Sequence, residues 1–119
     1  MTFLEQVGKA VVDWAKFKPK DEYETQQASG SIFDGDGWVA PQTCFITLHL
    51  RPQNSSPSRW YVQEKESQQK TYTKSDTGAN DSNFLVAIKG HTYKTIANEG
   101  NTIREAYIVY PKHPGGGML

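Results

Sequence analysis

Thr43-Cys44-Phe45-Ile46-Thr47-Leu48-His49-Leu50-Arg51 is the stretch that decides the fold. Cys44, Ile46, Leu48 and Leu50 fall on one side, and Thr43, Thr47, His49 and Arg51 on the other. A period of two marks a half-buried strand. Pro52 to Ser58 ends it, and further strands are predicted at Arg59–Gln63, Lys70–Lys74, Asn83–Lys89, His91–Ala97 and Arg104–Tyr110. These runs are short, rich in β-branched and aromatic residues, and show no helical period between them. Lys89-Gly90 reads as a tight connection between two of them. The pattern predicts a mainly β fold, a small antiparallel sandwich or barrel, over residues 41–112.

Upstream of this block the residues change character. Phe3, Leu4, Val7, Ala10, Val11, Trp14 and Phe17 are spaced by threes and fours, which predicts a short amphipathic helix over residues 2–17. Thr2 and Glu5 fit a capping box at its start. From Phe17 to Pro41 come Lys-Pro-Lys, then Asp21, Glu22 and Glu24, then Asp34-Gly35-Asp36-Gly37. This reads as a long acidic loop or arm with a turn at Asp-Gly, because those residues tolerate positive φ. A calcium loop would need spaced ligands and a closing Glu that are missing. The expected division is thus an N-terminal helix and arm over 1–40, the β body over 41–112, and a glycine-rich flexible tail over 113–119.

Composition limits what such a chain does. It has 119 residues, room for one domain, of which 36% are hydrophobic and 12% aromatic. Mean hydropathy is −0.68. A core short of aliphatic residues must therefore lean on Trp, Tyr and Phe, which each bury a large area. Thirteen basic and thirteen acidic side chains cancel, so no overall field draws the chain to nucleic acid or an anionic membrane. The cancellation is uneven: residues 1–40 hold four basic and seven acidic groups (−3), residues 41–119 nine and six (+3). Glu5, Lys9 and Asp13 interrupt the first apolar stretch, which argues against a secretory signal or a membrane span.

Catalytic motifs are not found. Cys44 stands alone on the apolar side of a strand, where a small core residue is expected and neither a disulfide nor a cysteine zinc site can form. His49, His91 and His113 lie in separate segments without metal-ligand spacing. No nucleophile elbow, phosphate loop or dinucleotide fingerprint occurs. The chain is read as a non-enzyme without cofactor or metal.

The succession Leu50-Arg51-Pro52-Gln53, Thr71-Tyr72-Thr73, Asn83 to Ile88, Gly90-His91-Thr92-Tyr93-Lys94-Thr95-Ile96 and Ala106-Tyr107-Ile108-Val109-Tyr110 resembles the minor structural proteins of the tailed-bacteriophage neck. The resemblance runs from Ile46 to Tyr110. Departures from the family pattern are Asp81-Ser82-Asn83-Phe84 and Asn98-Glu99-Gly100-Asn101. What it implies is a virion protein, made in the host bacterial cytoplasm, that forms a homo-oligomeric ring of hexamer or dodecamer size. Such a ring, as stopper, terminator, adaptor or collar, lies between portal or adaptor and tail proteins, and genomic DNA passes without sequence-specific binding. No membrane is involved.

Rings need heterologous contacts, and aromatic residues are enriched at interfaces. Phe3, Leu4, Val7, Trp14, Trp38, Trp60, Tyr93 and Tyr107 are accordingly the expected interface residues. Asp21, Glu22, Glu24, Asp34 and Asp36 are expected to face the channel or a neighbour. The alternative is a small β-rich module that holds a glycan or a protein on Trp38, Trp60 and Tyr61.

Overall fold

The structure is a computed structural model in which residues 23–112 are described. Eight strands follow in order: β1 (Tyr23–Ser29), β2 (Trp38–Val39), β3 (Cys44–Pro52), β4 (Ser58–Glu64), β5 (Lys70–Ser75), β6 (Asp81–Ala87), β7 (Thr92–Glu99) and β8 (Thr102–Pro111). A single 3-10 turn, Gly30–Phe33, separates the first two. The strands form two antiparallel four-stranded sheets, β1-β8-β3-β6 and β2-β7-β4-β5. The fold is a sandwich, one of the two mainly β architectures, sandwich or barrel, that the succession of short strands predicts. No helix among the described residues is long and apolar enough to cross a membrane.

All six strands expected from the sequence are present, with ends shifted by one or two residues. Two are additional. β1 lies in the segment expected to be a loop or arm, yet it pairs with β8 from Tyr23↔Pro111 to Ser29↔Glu105. Its residues Tyr-Glu-Thr-Gln-Gln-Ala-Ser carry no apolar alternation because β1 is an edge strand, largely exposed, with Ala28 alone packed on the core. β2 is only two residues long and pairs with β7. The boundary expected near residue 40 therefore divides nothing: residues 23–40 are part of the sandwich. The expected helix over 2–17 and the tail over 113–119 lie outside the described residues.

The chain passes repeatedly between the two sheets. Only β4 and β5 are consecutive strands within one sheet; every other connection crosses between sheets. The Lys89-Gly90 segment, expected to be a tight connection between two strands, is one, and it joins β6 of one sheet to β7 of the other. His91 N–H donates to Ile88 O at 3.0 Å to form that turn. On the flank where β5 and β6 approach, the sheets are tied by side chains: Lys74 N–H donates to Asp81 Oδ2 (2.8 Å) and Asn83 Nδ2 to Tyr72 O (2.9 Å). The opposite flank, formed by β1 and β2, is an open edge among the described residues.

Between the sheets lie Cys44, Ile46, Leu48 and Leu50 of β3, Ala106 and Ile108 of β8, and Trp60 and Val62 of β4, all buried. Large rings fill what the few aliphatic residues leave. Phe33 meets Trp38 edge-on at 5.8 Å and Trp60 at 6.0 Å, and Trp38 lies 6.4 Å from Tyr93. Each buried ring with a polar atom has a partner, as burial without one is costly. Trp60 Nε1–H donates to Thr95 Oγ1 (3.1 Å), and the Tyr93 hydroxyl accepts from Ile88 N–H (2.7 Å). Burial pushes the Tyr93 phenol well above its usual range.

Gly30 shows how closely this core is filled. A Cβ on it would stand 2.5 Å from Arg104 Cβ and 3.0 Å from the Trp60 ring. Overpacking of that kind forces backbone movement. Gly30→Ala is expected to lower unfolding free energy by about 1–3 kcal/mol, measured by urea denaturation. A variant as stable as the parent would mean that the 3-10 turn does not bear on Trp60.

Candidate assembly surfaces

The two outer faces of the sandwich differ in chemistry. On the β1-β8-β3-β6 sheet, register aligns Val109, Phe45 and Val86 in one row, Tyr107, Thr47 and Phe84 in the next, and Glu105, His49 and Ser82 in the third. Phe45 and Phe84 stack at 5.2 Å, and Phe84 is 56% exposed. The third row is polar: Glu105 is paired with Arg51 and accepts from Gln27 Nε2 (3.1 Å) and the Tyr107 hydroxyl (3.3 Å). His49 stands edge-on to Tyr107 at 5.1 Å. This face thus grades from aromatic and aliphatic at one end to charged at the other.

The outer face of the second sheet is basic. Arg59 and Lys74 are cross-strand partners, as are Gln63 and Lys70, and Gln63 also faces Lys94. Against these four cations stand Glu99, 2.7 Å from Arg59, and Asp76, 3.8 Å from Lys74. Tyr61 and Tyr72 meet edge-on at 4.6 Å in the middle. Ile96 has no cross-strand partner on β4, since a bulge between Tyr61 and Val62 skips it, and it is left 42% exposed. Along the β1–β2 flank Glu24 and Asp36 are exposed, with exposed Lys112 beside Glu24.

Two clusters lie near these surfaces. Arg104 projects inward from β8 and grips Asp34 with both guanidinium nitrogens, at 2.8 and 2.9 Å. Its Cζ lies 5.5 Å from the Trp60 ring centroid, so the cation also caps the buried indole. The hydrogen bonds from Arg104, helped by Thr95, hold the Asp34 carboxyl below its ordinary value. In the second cluster, Glu64, Glu66 and His91 bring three ligand atoms within 4.8 Å of one another. Those atoms are already engaged: Glu64 pairs with His91 Nδ1 and accepts from Ser67 Oγ (2.9 Å), and Glu66 accepts from Thr92 N–H (2.9 Å). The arrangement works as a latch between the β4–β5 hairpin and the β6–β7 turn. Spacing along the chain gave no sign of it, because His91 is 27 residues from Glu64.

The expected interface residues are dispersed. Trp60 is 0% and Tyr93 2% exposed, so both are core residues, unable to reach a neighbour without unfolding. Trp38 is half-buried against Phe33 and Tyr93. Tyr107 is on the outer face, while Phe3, Leu4, Val7 and Trp14 lie outside the described residues. Of the acidic residues, Asp34 is turned into its pair with Arg104, Glu24 and Asp36 are exposed, and Asp21 and Glu22 are outside the described residues. The aromatic trio suggested for a ligand module is split as well, Tyr61 being on the opposite side of its sheet from Trp60. Cys44 is a core residue whose thiol burial pushes up to about 12.

The sign of the Asp34 effect gives a pH test. Its folded-state pKa is lowered from 3.8, so ionised Asp34 stabilises the fold above that pH and the contribution is lost as pH falls below it. Solvent reaches the Asp34 side chain, 38% exposed, which limits the effect. Asp34→Asn is expected to cost about 1 kcal/mol at pH 7 in chemical denaturation, the gap to the parent narrowing toward pH 2. A gap that is constant from pH 7 to pH 2 would show that the pair does not contribute through its charge.

No family model, curated protein or solved structure matches the chain.

Proposed function

We propose that the chain is a structural subunit of the tailed-phage neck. Copies of it form a ring between portal or adaptor and tail, and genomic DNA passes through that ring. The observation that supports this reading best is the unlikeness of the sandwich's surfaces: one outer face is basic, the other grades from apolar to charged, and among the described residues no strand pairs with the outer edge of β1. A ring closes only through contacts in which one surface meets a different one on the next copy. Glu24 and Asp36 on the β1–β2 flank are of the sign to face Lys70, Lys74 and Lys94 of a neighbour. The β1 edge offers backbone groups for strand addition at the same place. Opposite charges that meet between copies are neutralised there, which leaves little field to hold passing DNA by its phosphates.

Mass photometry of the purified chain, alone and with virion extract, tests the reading. The expected result is a discrete oligomer or incorporation into particles, weakened by salt and abolished by joint Lys70→Glu and Lys94→Glu substitution. A chain that is monomeric in every condition and absent from particles would contradict it.

A further inference from the structure

A carboxylate removed from water is paired or bound to a metal, because an isolated charge is too costly to bury. Glu64, at the end of β4, has a side chain only 4% exposed. Its side-chain partners are His91 and Ser67, and neither is a permanent cation. The lysines and arginines that make ion pairs among the described residues are engaged elsewhere, by Glu105, Glu99, Asp76 and Asp34. Glu66 brings a second carboxylate to the same place. Two acidic groups thus converge on a single imidazole, which supplies at most one positive charge.

The three side chains come from different parts of the chain. Glu64 ends β4, Glu66 is in the turn to β5, and His91 is in the turn from β6 to β7. Backbone bonds hold these turns in place: Lys65 N–H donates to Thr92 O (2.8 Å) and Gln68 N–H to Glu64 O (2.8 Å). The carboxylates are oriented as well. Ser67 Oγ–H donates to Glu64 Oε2 (2.9 Å) and Thr92 N–H to Glu66 Oε1 (2.9 Å). Neither bond blocks coordination, since each carboxylate has two oxygens with two lone pairs apiece, and bonds of this kind fix ligands around a metal. Only the contact between His91 Nδ1 and Glu64 Oε1 has to open.

One ligand atom from each residue lies within 4.8 Å of the other two. A zinc ion about 2.1 Å from each ligand holds them about 3.4 Å apart, a spacing that small side-chain rotations supply. Imidazole together with carboxylate is a donor set for zinc, whereas calcium and magnesium take oxygen ligands. Glu66 is exposed and the His91 side chain is 29% exposed, so the ion has a path in and space for water as a fourth ligand.

We infer that Glu64, Glu66 and His91 bind a divalent first-row transition-metal ion of the zinc type, the ion taking its place between His91 Nδ1 and Glu64 Oε1. Bound there, it fastens the β4–β5 turn to the crossing from β6 to β7. The inference does not rest on the neck reading, since the three ligands come from one chain.

Titration of zinc chloride into the chelator-treated full chain, with the histidine ring signals followed by NMR, tests it. The His91 signals are expected to shift and to saturate at one equivalent, while those of His49 and His113 stay in place. Glu66→Gln removes a ligand charge from an exposed side chain that can still accept from Thr92 N–H, so the fold is kept. It is expected to weaken binding by more than about tenfold, with the far-UV spectrum unchanged. Shifts at His49 or His113 equal to those at His91, no saturation by millimolar zinc, or the parent's affinity in Glu66→Gln would each overturn the inference, the first by showing adventitious binding to surface histidines.

Discussion

Trp60 is the residue on which the sandwich depends. It is completely buried between two sheets that have few aliphatic side chains to spare, and its surroundings are arranged to accept it. Thr95 takes its indole N–H, Thr73 donates to its backbone carbonyl at 2.7 Å, Phe33 packs on its side and Arg104 covers its face. Arg104 is in turn held by Asp34, and Gly30 leaves the space in which these groups meet. A single large ring thereby couples the 3-10 turn, β4, β5, β7 and β8. Removing so large a buried ring from a core this lean would leave a cavity that its neighbours cannot close.

Much of this was legible in the sequence where side-chain period reports burial. β3 announces itself by Cys44, Ile46, Leu48 and Leu50, since one of its faces is entirely within the core. β1 does not, because at an edge strand only Ala28 has a buried environment to match, and Glu, Thr and Gln satisfy the remaining positions. The crossing connections were hidden for a different reason. A turn such as Lys89-Gly90 has the same local chemistry whether it folds a strand back on its own sheet or hands it to the other one, and only the total packing chooses. Aromatic residues were the hardest to place from the sequence. Trp60 and Tyr93 were expected at an interface, yet a core poor in aliphatic residues consumes its largest rings first. Phe45, in contrast, sits among Thr47, His49 and Arg51 on the side where polar residues belong, and that exception was the signal of a second apolar face. The Glu64–His91 pair had no sequence signature, because it exists only once two turns from different sheets are brought together.

The functional reading rests on surfaces rather than on a catalytic centre. Charged groups are unevenly placed, with Arg59, Lys70, Lys74 and Lys94 on one outer face and Glu24 and Asp36 along the flank. Charges segregated in this way favour contacts between unlike surfaces, and they fix the orientation of a neighbour more than they add affinity. Among the described residues no strand pairs with the outer edge of β1, and such an edge is a liability for a small β protein that is normally blunted or covered. For a subunit that works only in an assembly, both features have a use.

The dependence of both sheets on Trp60 is open to direct measurement. Urea denaturation of a Trp60→Ala variant reads it as a loss of unfolding free energy. The account predicts a loss of about 3–5 kcal/mol, that of a large buried ring whose space cannot close. A variant within about 0.5 kcal/mol of the parent, as for a surface substitution, would contradict it.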